Sequence, residues 1–139
     1  MRLSASTITV PCLLTACILT GCATSHTVVC RTGEQAAVTD TLYFGTNKSG
    51  GVVSQNEWTT FVTDTITPAF PQGLTTWTAD GQWRMADGTI ERETSHIVQL
   101  THEDVPQHDE SIRRIIERYR AQFSQEAVLR LRSPVCSRV

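Results

Sequence analysis

The apolar positions between residues 39 and 132 fall into two periods. Over residues 39–46 they alternate, with Leu42 and Phe44 on one side and Thr41 and Tyr43 on the other, the mark of a half-buried strand. After a Lys48-Ser49-Gly50-Gly51 loop, Ser54 and Glu57 form a capping box at a helix start. Trp58, Phe61, Val62 and Ile66 continue that helix at helical spacing, and Pro68 and Pro71 are expected to stop it. Strands are expected over residues 74–84, distorted at Asp80-Gly81, and over residues 89–101, with Val98 and Leu100 as apolar positions. Asp87-Gly88 between them signals a hairpin. Ile112, Ile115, Ile116, Tyr119 and Phe123 lie at i, i+3, i+4, i+7 and i+11, one apolar stripe with arginines around it. Residues 128–132 close the pattern as a short strand whose Leu129 and Leu131 face one way.

This order, β-α-β-β-α-β, is that of the ferredoxin-like split motif. The expected class is therefore α+β: an antiparallel sheet with two helices on one face. In that topology the last strand lies antiparallel to the first, so the start of strand one sits near the end of strand four.

Composition adds location more than chemistry. The 139 residues allow one domain and a tail. A formal net charge of -2 gives no overall pull toward nucleic acid. The charge is uneven: from Arg31 to Glu110 there are four basic and twelve acidic residues, and from Arg113 onward seven basic and two acidic ones. Either the basic end folds against the acidic part and pairs with it, or it offers a face to an anionic partner such as phospholipid head groups.

The first segment reads as an address. Arg2 precedes an apolar stretch through Ile8, Val10, Leu13, Leu14, Ile18 and Leu19, with no further charge before Arg31. The stretch ends in Leu19-Thr20-Gly21-Cys22, which resembles the lipobox of bacterial lipoproteins. In those proteins the thiol of that cysteine takes a diacylglyceryl group and the cysteine becomes the new N-terminus. The expected partition is a signal peptide over residues 1–21, a lipidated tether over 22–38 and a single domain over 39–136. Leu14-Thr15-Ala16-Cys17 also fits the lipobox pattern, but cleavage there leaves a very short apolar region interrupted by Pro11. Acyl chains on Cys22 would anchor the protein to a membrane without spanning it. Ala23 after the cysteine resembles the sorting signal for the Gram-negative outer membrane.

Five cysteines are an awkward number. Removing Cys12 and Cys17 with the leader and assigning Cys22 to lipid leaves Cys30 and Cys136, one at each end of the domain. An exported compartment permits a bridge between them. Two unpaired thiols are the other reading.

Specific blocks then carry a resemblance. Thr41-Leu42-Tyr43-Phe44-Gly45, Glu57-Trp58, Thr67-Pro68-Ala69-Phe70-Pro71-Gln72-Gly73-Leu74-Thr75, Asp80-Gly81-Gln82-Trp83-Arg84 and Glu91-Arg92-Glu93 resemble the bacterial lipoproteins of domain of unknown function 3574 over about residues 39–134. Ala69 departs from the arginine or similar residue usual there. The resemblance implies an exported or lipid-anchored domain and brings no activity, substrate or catalytic residue with it.

The densest polar cluster is Gln82-Trp83-Arg84 across the hairpin from Glu91-Arg92-Glu93. Opposite charges would meet there. An arginine beside an indole can also hold a carboxylate or phosphate. Trp83, Arg84, Glu93 and His96 are accordingly the candidate ligand-binding residues. His96 and His102 lie roughly 20 Å apart along an extended strand, too far to share an ion. His102, Glu103, Asp104 and His108 lie in one loop, but their spacing matches no metal signature, so no metal is assigned. No cofactor motif or serine nucleophile elbow occurs. The expected function is a non-enzymatic envelope module that binds a protein, lipid or small ligand, with a purely structural surface protein as a further reading. The alternative is a small ferredoxin-like enzyme with a pocket joining Trp58, Arg84, Glu93 and His96 between sheet and helices. Pairing through sheets makes a homodimer a further expectation.

Overall fold

The computed structural model describes residues 28–139. Strand β1 (Gln35–Gly45) leads into a small hairpin, β2 (Asn47–Lys48) and β3 (Gly51–Val52). Helix α1 (Gln55–Phe61) passes through a wide π turn (Val62–Ile66) into a short α2 (Thr67–Ala69). Strands β4 (Thr75–Arg84) and β5 (Ile90–His102) form the long hairpin, followed by α3 (Pro106–Phe123) and β6 (Leu129–Ser137). The four long strands form one antiparallel sheet in the order β4-β5-β1-β6, as the split motif requires.

The expected class is observed, with three local differences. β1 starts at Gln35, four residues before the expected strand, because β6 runs on to Ser137 and pairs with it through Ala36↔Cys136. β6 tolerates Pro134 because it is an edge strand, where a missing N–H need not break a ladder. The first helix does not stop at Pro68. Proline has no N–H for the i→i−4 ladder, and the chain widens into an i→i−5 turn just before it, with the Thr67 N–H donating to the Val62 carbonyl. The wide turn also settles the helix's phase. In a plain α-helix Ile66 would lie about 140° round from Phe61, yet both are buried in the core.

One face of the sheet carries the core. Leu42, Phe44, Val98 and Leu100 pack against Trp58, Phe61 and Ile66 from the first helix and Ile112, Ile115, Tyr119 and Phe123 from α3. The Phe44 and Tyr119 rings meet edge-on with centroids 4.7 Å apart. Each large side chain fully buried here contributes roughly 1.5–3 kcal/mol. Asp40 is the one fully buried carboxylate of this face. It accepts from Arg130 Nε at 2.6 Å and Nη2 at 3.1 Å, and faces His102 Nε2 at 3.0 Å. That network joins β1, β5 and β6, and Arg130 reaches on to Asp109 of α3 at 2.8 Å. Arg132 pairs with Asp104 and Asp109. The basic end of the chain thus folds back on the acidic part.

Cys30 and Cys136 form a disulfide with Cα atoms 5.5 Å apart, closing the chain across 106 residues. Cys22 and the leader lie outside the described residues. Among the described residues, no helix is long and apolar enough to cross a membrane.

Candidate functional site at the end of the sheet

β1 ends at Gly45, opposite Ser95, so the β4–β5 hairpin continues past it with no paired strand on that side, met there by Thr46 and Asn47. The hairpin tip is a turn fixed by Gly88 at φ 89° and by Asp87, whose carboxylate accepts from the Thr89 N–H and hydroxyl. On the far side α3 ends with Ser124 in the left-handed region (φ 54°), an uncommon conformation for a residue with a Cβ. That turn sends Gln125 back to donate to the Asn47 carbonyl at 2.5 Å. It also sends Glu126 to accept from the Ala86 N–H at 3.2 Å. Hairpin, strand end and post-helix loop enclose a pocket of about 180 Å³.

Its walls are Tyr43, Trp83, Met85 and Leu129 on the apolar side and Asn47, Glu91, Glu93, Ser95, Gln125 and Glu126 on the polar side. Among the described residues three carboxylates line it, and no lysine, arginine or histidine does. Glu93 Oε2 accepts from the Asn47 N–H at 3.0 Å and Glu91 Oε1 from Asn47 Nδ2 at 2.8 Å. The second oxygen of each of the three carboxylates accepts no hydrogen bond among the described residues. Gly45 leaves room for the Glu93 carboxylate: a Cβ there would lie 2.4 Å from Glu93 Oε1. Behind it, Tyr119 donates its hydroxyl to the Gly45 carbonyl at 2.8 Å. Burial, with the Glu93 and Glu57 carboxylates adding to it, pushes the Tyr119 phenol above its ordinary value, so it stays a donor. Lys48, the residue after Asn47, bonds Glu57 at 2.5 Å. Lys48 first, then the Ser54 backbone and hydroxyl, hold the Glu57 carboxyl at about 2.

The four candidate residues divide. Trp83 and Glu93 stand on the open face of the sheet and line this pocket together. Arg84 and His96 fall at alternate positions and face the other way. His96 is buried and stacks on Trp58 with centroids 4.4 Å apart, and burial lowers its pKa. Among the described residues neither Arg84 nor Arg92 forms an ion pair. The register pairs Arg84 with Ile90 and Arg92 with Gln82, while Glu91 and Glu93 stand on the other face and bond Asn47. Tyr43, Gly45, Asn47, Gln125 and Glu126 were not singled out by the sequence. The end of β1 brings Tyr43, Gly45 and Asn47, and the turn after α3 brings Gln125 and Glu126 to them.

A second cleft lies at the opposite end, lined by Phe70, Gln72, Thr101, His102 and His108. His102 and His108 do come together there, with centroids 4.9 Å apart, and each places Nδ1 against the Glu103 carbonyl. Both ring nitrogens of His102 are already engaged, by Asp40 and by Glu103. Among the described residues no set of three or more His, Cys, Asp or Glu side chains is arranged to hold a metal ion.

Fold and pocket together define a small ferredoxin-like α+β domain with an acidic pocket where its sheet ends. The chain belongs to the DUF3574 family, proteins of unknown function, whose profile matches residues 39–138. No curated protein matches it significantly in sequence. Among solved structures, a phage SAM lyase in complex with S-methyl-5'-thioadenosine is similar with a TM-score of 0.56 at 14% identity, covering 74% of this chain and 90% of that one. The same phage enzyme in its apo state gives 0.51 at 15% identity, covering 81% and 96%. CutA from Synechococcus elongatus gives 0.47 at 12%, covering 76% and 81%. At these identities the likeness is one of fold.

Proposed function

We propose that this protein is an exported, lipid-anchored envelope protein whose domain binds a small ligand bearing a positively charged group beside an apolar or aromatic part. The observation that carries the binding half is the lining of the end pocket. The Glu91, Glu93 and Glu126 carboxylates line it with the Trp83 and Tyr43 rings, and among the described residues no basic side chain shares the lining. Such a site attracts a cation by charge and holds it over an aromatic face. It repels phosphate and carboxylate groups.

The anchoring half rests on Leu19-Thr20-Gly21-Cys22 and on a disulfide that suits an exported compartment. Acyl chains at Cys22 make a membrane the first partner, with the outer membrane's periplasmic side favoured in a Gram-negative cell. Binding is preferred to catalysis because Trp58, Arg84, Glu93 and His96 do not share one pocket.

The pocket is tested by thermal shift of the full chain in detergent with three probes of similar size: benzyltrimethylammonium, benzyl alcohol and benzenesulfonate. The cation should raise the melting temperature of the wild type and lose most of that effect with Glu93→Gln. Stabilisation by the sulfonate alone would refute the reading. Mass spectrometry of the N-terminal peptide tests the anchor, and an unmodified Cys22 with the leader attached would end that claim.

A further inference from the structure

The tip of the β4–β5 hairpin, residues 83–90, extends past the last residue of β1 and stands largely in solvent. Its turn is closed from within. The Gly88 N–H donates to the Met85 carbonyl and the Met85 N–H to the Thr89 carbonyl, both at 2.9 Å. Among the described residues the tip makes one hydrogen bond to anything outside the hairpin, from the Ala86 N–H to Glu126 Oε1 at 3.2 Å. The next ties, from Asn47 to Glu91, Glu93 and the Arg92 carbonyl, lie nearer the sheet. Yet this lightly held tip supplies Trp83 and Met85 to the wall of the acidic pocket, and Glu126 lines the same pocket from the loop after α3.

We infer that the hairpin tip is a flap on the acidic pocket, that Glu126 is its latch, and that a bound cation holds the flap closed. The part played by the cation rests on the function proposed above. The first argument is charge. Glu91 and Glu93 belong to the hairpin and Glu126 to the post-helix loop, and all three line one pocket. Like charges repel, so the empty pocket pushes the tip outward and the Ala86 N–H holds it. A cation among the three carboxylates replaces that repulsion with attraction from both sides. It therefore binds the closed form more tightly than the open one, and such a difference in affinity is what shifts an equilibrium. The second argument is the division of labour within Glu126. One oxygen takes the Ala86 N–H, and the other accepts no hydrogen bond among the described residues and is left for the ligand. The third is Trp83, which lines the pocket and is still 39% exposed. An apolar group held against the indole buries that surface, and the gain is made only with the flap closed. A segment with so few ties lies at the low-stability end of a fold, so the affinity scales with the fraction of molecules whose flap is closed.

Nitrogen-15 relaxation of the full chain in detergent reads the motion of the Trp83 indole and the Ile90 amide, and benzyltrimethylammonium titration reads the affinity. Ala86→Pro removes the latch donor and keeps all three carboxylates. Ala86 is the second residue of the turn that the Gly88 N–H closes, a position where proline is favoured, so the hairpin should form as before. The variant should mobilise Trp83 and Ile90 and weaken the cation by roughly threefold or more. Saturating cation should quieten both signals in the wild type. Glu126→Gln keeps an acceptor oxygen and removes the charge, so it should leave the tip as ordered as in the wild type and still weaken the cation. The Cys30–Cys136 disulfide and the circular dichroism spectrum check folding. Trp83 and Ile90 unmoved by Ala86→Pro would overturn the latch. A mobilised tip with unchanged cation affinity would overturn the coupling of flap to ligand. A wild type that takes no cation refutes the pocket reading and the coupling with it, and the relaxation data then judge the latch alone.

Discussion

Gly45→Ala probes the joint between fold and pocket. The new Cβ would lie 2.4 Å from Glu93 Oε1 and 2.7 Å from Cδ and Oε2. The carboxylate must move, and moving it breaks the 3.0 Å bond from the Asn47 N–H. A hydrogen bond to a charged group contributes about 1.5–3 kcal/mol. Against that, Gly45 has no positive φ, so alanine fits the backbone and returns about 0.5–1 kcal/mol of chain entropy. The net cost should be about 1–2 kcal/mol. With Glu93→Ala in place the clash is gone, and Gly45→Ala should then stabilise by about 0.5–1 kcal/mol. Urea unfolding followed by circular dichroism, with the disulfide intact, measures all four corners of this cycle. The same cost in both backgrounds would refute the contact.

Asp40→Asn should destabilise by about 3 kcal/mol in the same assay, since it strips the buried carboxylate from the buried His102 and the part-buried Arg130. Arg114→Ala, at an exposed Glu110 pair, should cost less than about 0.5 kcal/mol. Cys30→Ser with Cys136→Ser should cost about 4–5 kcal/mol in the chain-entropy picture, and a loss under about 1 kcal/mol would contradict it. His96 should titrate below its ordinary value near 6.5 by NMR. Its neutral form is favoured in the fold, so its contribution is full above that value and is lost as pH falls through the lower folded pKa. A midpoint at or above 6.5 would remove burial as the cause.

The fold was legible because two periods ran without conflict. The Leu42/Phe44 alternation and the Ile112–Phe123 stripe each named the face they bury. The cysteine pairing was legible because the topology returned Cys136 beside the start of β1. Boundaries were less so: Pro68 looked like a stop, and only a π turn, which no propensity signals, carried the helix past it. The site was half legible. Hairpin composition pointed to Trp83 and Glu93, but strand parity sent Arg84 and His96 to the opposite face. Tyr43 and Gln125 line the pocket with Trp83 and Glu93, and the bond from Gln125 to Asn47 spans 78 residues with no period or motif to announce it.

The central claim is that the acidic pocket at Gly45, and not the histidine-lined cleft at the other end, takes a cationic ligand. The most direct test is an amide NMR titration of the full chain in detergent with benzyltrimethylammonium. Saturable shifts centred on Gly45, Asn47, Ser95, Gln125 and the Trp83 indole, lost in Glu93→Gln, are the expected result. Shifts centred on Phe70, His102 and His108, or none at saturating probe, would contradict it.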